Sequence, residues 1–516
     1  MHRIVIDRNH ELHVHNESFS VYVSGLRLFR FNVKSRMPVA GNDDSDEKLT
    51  IVEKGEAKVV WIGTGGAFEK KEYTLRVIDK GFVFTTKVTG CGAVDRIEYF
   101  RGGADSVGSP YAASGYSLAA PRRNGRMCAV YSTNENPVGA EPFDACFPPY
   151  VFSFCNDYND DWCGIGVTTR GGNQNYRSFV FNAPESGRKE NGCWFTLPLG
   201  GYTEIRGEWK APTIWCGFSK TPSSVFGAYA EWSFSHYGFK KRISSEGTPD
   251  WWSTSVFSDC GENGEAHDDG ENHYGLLLEK LDSVKIAPGI IVTDGKGKNL
   301  GEFVDGCHSR GAHVLLRIKF GAADGLPEDE CIVENGICIS ADPTNPKYLE
   351  RLKKTIHTML TADEGGLDCD GFKVDFAEIA PVSCGAVTFE KGVAGLELMH
   401  RMLGAVYEFA KAEKHDALII SGSTHPYLAE FCDMLSLPAG NPSLHNPISS
   451  MKNGAEAAKA VMPGIIIDTG GFSAATAYEQ LRIFEAAAEN GVPDMHFIPD
   501  FFTEKEWVRV REIFNG

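Results

Sequence analysis

The sequence is poor in positive charge: it has 51 Lys and Arg residues and 69 Asp and Glu residues, so the formal net charge is −18. Nucleic acids and anionic membrane surfaces bind basic patches, and this balance therefore argues against both as main partners. The sequence also lacks the roughly 18–20 consecutive apolar residues of a membrane span, and its first residues lack the apolar core of a secretory signal. We therefore expect a cytoplasmic protein that binds neither nucleic acid nor membranes.

The sequence has no Cys-x-x-Cys pair, although it contains 14 cysteines. Zinc knuckles and thioredoxin-like redox motifs both depend on that spacing, so neither is predicted. An acidic, glycine-containing stretch at residues 259–271 offers the oxygen ligands that Ca²⁺ prefers, but it lacks the regular spacing of an EF-hand loop. We predict a solvated loop there, no metal and no cofactor.

Two patterns divide the chain. Residues 1–235 contain short runs of alternating apolar and polar residues broken by Gly, Asn and Asp, as in residues 20–31. This alternation predicts an antiparallel β-sandwich. In residues 236–516, short apolar runs such as 290–294 and 371–376 alternate with amphipathic helical segments. The second pattern predicts a (β/α)8 barrel, and we expect the domain boundary at residues 235 and 236.

Polar residues end many of the predicted barrel strands, and in such barrels chemistry takes place at the C-terminal ends of the strands. These residues are Asp294, Arg317, Asp375, Ser421, Asn441 and Asp468. A buried carboxylate is costly unless it is paired or functional, so the three aspartates are candidate site residues. For Asp294, the alternative is a turn-forming role before Gly295.

Three motifs follow one another in the second segment: DPTNP at residues 342–346, GFKVDFAEIAP at 371–381 and DTGGF at 468–472. Together they resemble glycoside hydrolase family 31, in which Asp-x-Thr-Asn-Pro precedes a Phe-Lys-x-Asp-Phe-Gly-Glu strand end and an Asp-Ile-Gly-Gly-Phe turn. The resemblance is fainter to glycoside hydrolase families 36 and 27, which share the clan. It is specific over residues 340–380.

The resemblance implies a retaining α-glycosidase that cleaves a terminal α-linked sugar, as α-glucosidases and α-galactosidases do. Asp375 falls on the position of the nucleophile, which forms a covalent glycosyl-aspartate. Lys373 lies on the same side of the strand and would keep Asp375 anionic, unless it forms a structural ion pair. Asp294 and Asp468 would accept hydrogen bonds from sugar hydroxyls. An anionic sugar would need cationic groups in the pocket, and Lys373 and Arg317 are the only obvious ones. The expected partner is therefore a small-molecule or oligosaccharide glycoside of a neutral hexose.

The sequence departs from this pattern at the general acid. Retaining hydrolysis needs a second carboxylic acid, about 5–5.5 Å from the nucleophile, to protonate the leaving oxygen. Comparison with the clan places that acid at Gly440 or Asn441, and neither residue can protonate a leaving group; Asn441 is left as a substrate-binding candidate. His425 and His445 lie in loops predicted over the barrel mouth, where either would donate a proton, bind sugar or simply pack. Asp433 is a carboxylate that could replace the missing acid, but it opens its strand. That end of a barrel strand usually serves stability and not catalysis.

Three explanations of the missing acid stay open. The acid comes from another loop, the substrate has a leaving group that departs without protonation, or hydrolysis has been lost. In the last case the chain is a carbohydrate-binding or regulatory protein on the same barrel. The intact Asp375, Lys373 and Asp468 favour an enzyme. The sugar, the linkage and the oligomeric state, including a homo-oligomer, are not determined by the sequence.

Overall fold

The computed structural model describes most of the chain. The described residues are 1–101, 111–114, 122–123, 126–127, 143–145, 150–155, 161–176, 178–182, 194–241, 248–258, 271–295, 299–374, 386–437, 447–496 and 501–515.

The N-terminal part is built of antiparallel strands. They are β1 His2–Val5, β2 His10–Val14, β3 Ser18–Val23, β4 Leu26–Asn32, β5 Ser35–Arg36, β6 Lys48–Lys54, β7 Lys58–Thr64, β8 Lys70–Ile78, β9 Gly81–Tyr99, β10 Tyr111–Ser114, β11 Arg122–Arg123, β12 Arg126–Met127, β13 Phe143–Ala145, β14 Val151–Cys155, β15 Trp162–Thr168, β16 Phe179–Asn182, β17 Trp194–Lys210 and β18 Thr213–Ser219. Strands β1 to β4 pair in chain order, and all the others except the β11–β12 hairpin join a second sheet.

Aromatic side chains join the two sheets. The ring of Phe19 on β3 lies 5.7 Å from the ring of Phe82 and 6.0 Å from that of Phe84, both on β9. On β2, His10, Leu12 and Val14 are buried whereas the residues between them are less so, as the two-residue period of a strand requires. The alternation read from the sequence therefore produces a sandwich with an aromatic core.

Helix α1 (Pro222–Tyr237) connects the sandwich to the barrel. Thr221 caps its start in a capping box, and Gly238 ends it in a left-handed conformation with φ of 70°. Val225 and Tyr229 on its buried face pack in the same apolar cluster as Met451 of the barrel. The predicted domain boundary falls within the last turn of this helix.

The barrel alternates strands and helices. Its elements are β19 Val256–Ser258, α2 Glu271–Val284, β20 Ile290–Thr293, α3 Leu300–His308, β21 His313–Ile318, β22 Cys331–Glu334, β23 Ile337–Ala341, α4 Pro346–Leu360, β24 Gly371–Val374, β25 Ala386–Val387, α5 Leu396–Glu413, β26 Leu418–Ser421, β27 Met434–Ser436, α6 Pro447–Val461, β28 Ile466–Asp468, α7 Ala477–Asn490, β29 Asp494–His496 and α8 Glu504–Phe514.

Eight of these strands, β19, β20, β21, β24, β26, β27, β28 and β29, form one parallel sheet in chain order. The last strand, β29, pairs with the first, β19. A parallel bridge between Asp468 and Val492 joins the seventh strand to the segment just before the eighth. The described residues thus form an almost fully closed ring, and the predicted fold class, a β-sandwich followed by a (β/α)8 barrel, is confirmed.

Local chemistry explains the elements around the fourth strand. Asn345 caps α4 by accepting a hydrogen bond from the Lys347 amide, and Pro346 begins the helix. Gly371 starts β24 with φ of 148°, and a Cβ there would collide with the carbonyl of Leu418 on β26. Only glycine allows the two strands to approach this closely at that point.

Two loops depart from the repeating pattern. After β26, a short 3-10 helix at Pro426–Phe431 takes the place of an α-helix. The loops that follow β21 and β24 contribute β22, β23 and β25, which form a three-stranded antiparallel sheet with the order β23-β22-β25. We call it the loop sheet. Asn335 and Gly336, both with positive φ, turn the chain between β22 and β23.

In the part of the chain that the structure describes, no helix is long and apolar enough to cross a membrane. Among the same residues, no group of three or more His, Cys, Asp or Glu side chains is placed to hold a metal ion. Residues 259–270 of the predicted acidic loop lie outside the described residues.

Candidate functional site

Lys373 lies between two carboxylates inside the barrel. Its Nζ is 2.7 Å from Oδ2 of Asp468, at the end of β28, and 3.1 Å from Oδ2 of Asp494, at the start of β29. The Lys373 side chain is 15% exposed and both aspartate side chains are fully buried. We call these three residues the lysine cluster.

The charges of the lysine cluster depend on one another. Burial acts to lower the pKa of Lys373, but the charges of Asp468 and Asp494 outweigh it and raise that pKa above its ordinary value. Burial acts to raise the pKa of Asp494, but the charge of Lys373 and the hydrogen bonds to the carboxylate lower it below the usual range. The ammonium and the Asp494 carboxylate therefore stabilise each other in their charged forms.

The turn after β28 orients Asp468. The amide of Gly470 donates a hydrogen bond of 2.9 Å to Oδ1 of Asp468, which leaves Oδ2 directed at Lys373. A Cβ on Gly471 would collide with the imidazole of His496 on β29. The two glycines of the Asp-Thr-Gly-Gly motif thus have separate tasks: Gly470 supplies an amide to the carboxylate, and Gly471 leaves room for the histidine.

Sequence reasoning missed three residues of this region: Asp494, His496 and Ser258. Ser258 Oγ donates a hydrogen bond of 3.2 Å to Oδ2 of Asp494. Asp494 is the first residue of β29, whereas the candidate carboxylates read from the sequence lie at the ends of their strands. The sequence feature that could have revealed Asp494 and His496 is their two-residue spacing, which places both side chains on the same side of a strand.

Two carboxylate oxygens of the lysine cluster lack a full set of donors. Among the described residues, Asp494 Oδ1 is buried and has no hydrogen-bond partner. Asp468 Oδ2 is close enough to Lys373 for an ion pair, but the geometry does not satisfy a hydrogen bond. Buried acceptors are normally satisfied, so these oxygens are places where a water or a hydroxyl donor is expected.

Asp294 and Arg317 occupy the neighbouring strand ends. Arg317 Nη1 lies 3.8 Å from Asp294 Oδ1, and both side chains are partly exposed. Arg317 on β21 is aligned in register with Lys373 on β24. The amide of Gly295 donates to Thr293 Oγ1, so Asp294 lies within a turn that begins at Thr293. The structure therefore brings four of the predicted site residues to one region of the barrel: Asp294, Arg317, Lys373 and Asp468.

His425 lies elsewhere. It begins the 3-10 helix, where its Nδ1 accepts a hydrogen bond of 3.1 Å from the amide of Tyr427. Its ring is completely buried and lies 5.4 Å from the ring of Tyr150 in the sandwich. Burial lowers the pKa of His425 to about 3. The imidazole is therefore neutral at ordinary pH, which argues against its service as a proton donor there.

Asp433 has the surroundings of a structural residue. Its Oδ2 accepts a hydrogen bond of 2.9 Å from the amide of Ile419 and lies 2.9 Å from Nζ of Lys411. The carboxylate is fully buried. These contacts tie the start of one barrel strand to its neighbour, and they explain the residue without any catalytic role.

The remaining predicted residues, Asp375, Asn441 and His445, lie outside the described residues, as does Gly440. Asp375 directly follows Val374, the last residue of β24, and is two residues beyond Lys373.

Three enzymes are among the solved structures with similar folds. The α-N-acetylgalactosaminidase NagBb from Bifidobacterium bifidum, solved as a GalNAc complex, has a TM-score of 0.62 at 10% identity over 100% of this chain and 92% of that chain. The cycloalternan-degrading enzyme from Trueperella pyogenes has a TM-score of 0.52 at 10% identity over 92% and 80%. The cycloalternan-forming enzyme from Listeria monocytogenes, in complex with a pentasaccharide substrate, has a TM-score of 0.50 at 12% identity over 98% and 50%.

This chain spans about half the length of the cycloalternan-forming enzyme. No protein-family model and no curated protein matches the sequence. At these identities the similarity shows the fold alone: a β-sandwich with a parallel barrel.

Proposed function

We propose that this chain is a retaining α-glycosidase that removes a terminal α-linked sugar, with Asp375 as the nucleophile. The lysine cluster is the observation that carries the proposal. It holds an ammonium and two carboxylates inside the barrel. The ammonium belongs to Lys373, which is two residues before Asp375 in the sequence. The resemblance of the motifs around these residues to glycoside hydrolase family 31 and the similar folds of sugar-processing enzymes support it.

Lys373 is suited to bind both the sugar and the nucleophile region. A lysine ammonium has three N–H donors, and among the described residues its charged partners are Asp468 and Asp494. The proposal assigns one of these donors to a sugar hydroxyl or to Asp375. Because the two carboxylates fix the ammonium in place, little entropy is lost when a substrate binds it.

In the proposed reaction, an oxygen of Asp375 forms a bond to the anomeric carbon while the bond to the leaving oxygen breaks. A water oxygen then bonds to the anomeric carbon while the bond to Asp375 breaks; the carboxylate is restored and the proton that the water loses goes to solvent. Asp294 and Arg317 provide an acceptor and a donor at the neighbouring strand ends. Asn441 and His445 stay in the proposal as substrate-binding residues, whereas the burial of His425 moves it to a packing role.

The general acid determines which substrates are expected. His425 is buried and neutral, and Asp433 is tied to Lys411, so neither fits the task. We infer that turnover is fastest with leaving groups that depart without protonation, unless an acid enters from a loop. The alternative function, a sugar-binding protein without hydrolysis, is favoured by the same missing acid.

The test is hydrolysis of α-glucosyl and α-galactosyl fluorides beside aryl α-glycosides whose leaving groups differ in acidity. Fluoride leaves without a proton, so an enzyme without an internal acid should hydrolyse the fluorides, and its rate on the aryl series should depend steeply on the leaving-group pKa. A flat dependence would reveal a hidden acid. Sugar binding with no turnover of any fluoride would favour the binding protein instead.

Asp375→Asn should abolish turnover of the fluorides, because an amide cannot attack the anomeric carbon. Asp363→Asn, a change of the same kind at a side chain that is 76% exposed, is the matched control and should retain activity. Labelling with a reactive cyclitol followed by peptide mapping should place the label on Asp375. Activity retained in Asp375→Asn would refute the assignment.

A further inference from the structure

The eight barrel strands end in side chains of very different acid–base character. In chain order, the last residues of these strands are Ser258, Thr293, Ile318, Val374, Ser421, Ser436, Asp468 and His496. Hydroxyl and apolar side chains do not exchange a proton near neutral pH, whereas an imidazole does, because its ordinary pKa is about 6.5. Asp468 is fully buried beside Lys373. Among the strand ends, His496 is therefore the residue suited to proton transfer.

His496 lies on the same side of β29 as Asp494. The Asp494 carboxylate points into the barrel, where it meets Lys373. Because side chains repeat their direction at every second residue of a strand, His496 also faces the barrel interior. It lies one level closer to the C-terminal ends of the strands, where chemistry takes place in such barrels. Its ring is partly exposed there, in contrast to the buried ring of His425.

The turn after β28 contacts the imidazole. A Cβ on Gly471 would overlap Nε2 of His496, so the ring rests directly against the glycine backbone. The same turn belongs to the lysine cluster, because the amide of Gly470 donates to Asp468. His496 thus touches the segment that orients one carboxylate of the cluster, and it is two residues beyond the other, Asp494.

The neighbouring charges favour a protonated His496. Burial acts to raise the pKa of Asp494, and the charges of Lys373 and His496 lower it. The attraction that keeps Asp494 ionised stabilises an imidazolium on His496 equally. Lys373 opposes this charge, but its own charge is shared between two carboxylates.

Other neighbours of the ring add little net charge. At the neighbouring strand ends, Arg317 lies 3.8 Å from Asp294, so the two charges largely offset each other. A cavity beside the His496 ring is lined, among the described residues, by Ser473, Gln480 and five apolar side chains. The lysine cluster therefore dominates the electrostatics of the imidazole.

We propose that His496 is the general base for the second step of the reaction, the hydrolysis of the glycosyl-aspartate. This inference rests on the proposed function and adds the group that first receives the proton. The water oxygen bonds to the anomeric carbon, and the proton of the water moves to a neutral ring nitrogen of His496. The electron pair of the breaking bond returns to the Asp375 carboxylate. The imidazolium, stabilised by Asp494, then releases the proton to solvent.

This role agrees with a first step that has no acid. A histidine that enters the reaction neutral accepts a proton from water but has none to give to a leaving group. Fluoride leaves without a proton, so it forms the glycosyl-aspartate without help from His496. Removal of the imidazole should therefore slow the second step and spare the first.

The test is the hydrolysis of an α-glycosyl fluoride by His496→Gln, in which an amide replaces the base. We expect kcat to fall by about 100-fold, because general bases typically contribute at least this much. The glycosyl-enzyme should accumulate and be visible as added mass on the intact protein. Azide is an anionic nucleophile with no proton to lose, so it should restore turnover and yield the α-glycosyl azide. A histidine that only supports the fold would produce neither the accumulation nor the rescue.

His415→Gln is the matched control, because His415 is exposed between α5 and β26. It should change neither kcat nor the response to azide. If His496→Gln does not fold, as judged by thermal unfolding, the wild-type chain supplies the measurement. Its kcat should decrease as the pH falls below about 6.5 and the imidazole takes up a proton. Azide should offset that decrease.

The outcomes separate this inference from the proposed function. A wild-type chain that hydrolyses no fluoride would overturn both. If the wild-type chain is active and Asp375→Asn is not, the proposed function stands and the base is judged by itself. Unchanged kcat in His496→Gln, a loss of kcat without accumulated glycosyl-enzyme, or a loss that azide does not restore would overturn the base alone. So would a wild-type kcat that does not decrease below about pH 6.5.

Discussion

The ammonium of Lys373 lies 3.1 Å from a carboxylate oxygen of Asp494, and the two residues belong to opposite sides of the barrel. Lys373 is on the fourth strand of the ring and Asp494 is on the eighth. Their contact therefore spans the barrel interior and places a charge pair where most barrels have apolar side chains.

Removing the ammonium should destabilise the protein strongly. Lys373→Met leaves two fully buried carboxylates without their cation, and breaking a buried pair in this way typically costs about 3–5 kcal/mol. The free energy of unfolding in urea measures the effect. Lys354→Met, at a side chain that is 76% exposed and whose ion pair among the described residues is with Glu350, should change it by less than about 0.5 kcal/mol. Equal costs for the two variants would contradict the argument.

Asp494→Asn should destabilise the protein less than Lys373→Met does, and its main effect should be on the active site. The amide keeps the shape of the side chain, and Lys373 retains Asp468 as its counter-ion. We expect the ammonium to move toward Asp468, so that kcat/KM for an α-glycosyl fluoride falls by about tenfold, which corresponds to about 1.4 kcal/mol. Asp494→Ser, which removes the shape of the side chain as well as its charge, should lower kcat/KM more than Asp494→Asn. Unchanged kinetics in both variants would show that Asp494 has no part in positioning the lysine.

Gly471→Ala should disturb the site through His496. A methyl group at this position collides with the imidazole, and overpacking of this kind typically costs about 1–3 kcal/mol. Gly301→Ala is the matched control, because a Cβ there meets nothing within 4 Å. Thermal unfolding of both variants measures the difference. A Gly471→Ala protein as stable as the control would mean that the histidine moves aside without cost.

Stability should also fall in mildly acidic solution because of His400. Its ring stacks on Tyr427 with centroids 3.9 Å apart, and burial, partly offset by Glu430, lowers the pKa of His400 to about 4 from 6.5. The unfolded chain binds a proton on this residue at a higher pH than the folded chain does. The free energy of unfolding should therefore decrease between about pH 6.5 and about pH 4, by at most about 1.4 kcal/mol per pH unit from this group.

The variant that tests this is His400→Phe, which keeps an aromatic ring against Tyr427 and removes the proton. Its free energy of unfolding should depend less on pH in the same range. The buried His425 contributes with the same sign and remains in the variant, so the dependence should decrease and not vanish. An identical pH dependence in the variant and the wild type would exclude His400 as a source.

The sequence predicted the architecture because each period of hydrophobicity corresponds to one kind of element. Asp468, Asp294 and Arg317 could be proposed as site residues because each lies at the end of an apolar run. Lys373 could be proposed because it lies in the motif that resembles glycoside hydrolase family 31, two residues before Asp375. Asp494 could not, because it opens its strand, and its contact with Lys373 joins residues 121 positions apart. No local pattern records which charges meet across a barrel.

His425 illustrates a different difficulty. It follows a barrel strand, so a position over the mouth is the natural expectation from the sequence. The chain instead forms a 3-10 helix there, and the imidazole is enclosed beside Tyr150 of the sandwich. Burial of a loop residue by another domain depends on how the domains pack, which hydrophobic periodicity does not reveal.

The placement of Lys373 also bears on how the molecule is assembled. Its counter-ions arrive on the seventh and eighth strands, which are the last of the ring to be synthesised. Until those strands dock, the ammonium has to remain hydrated, and the ring has to stay open enough for water to reach it. The ring therefore closes and the pocket forms at the same time. A nascent chain that ends before β28 should have neither a closed ring nor a complete pocket.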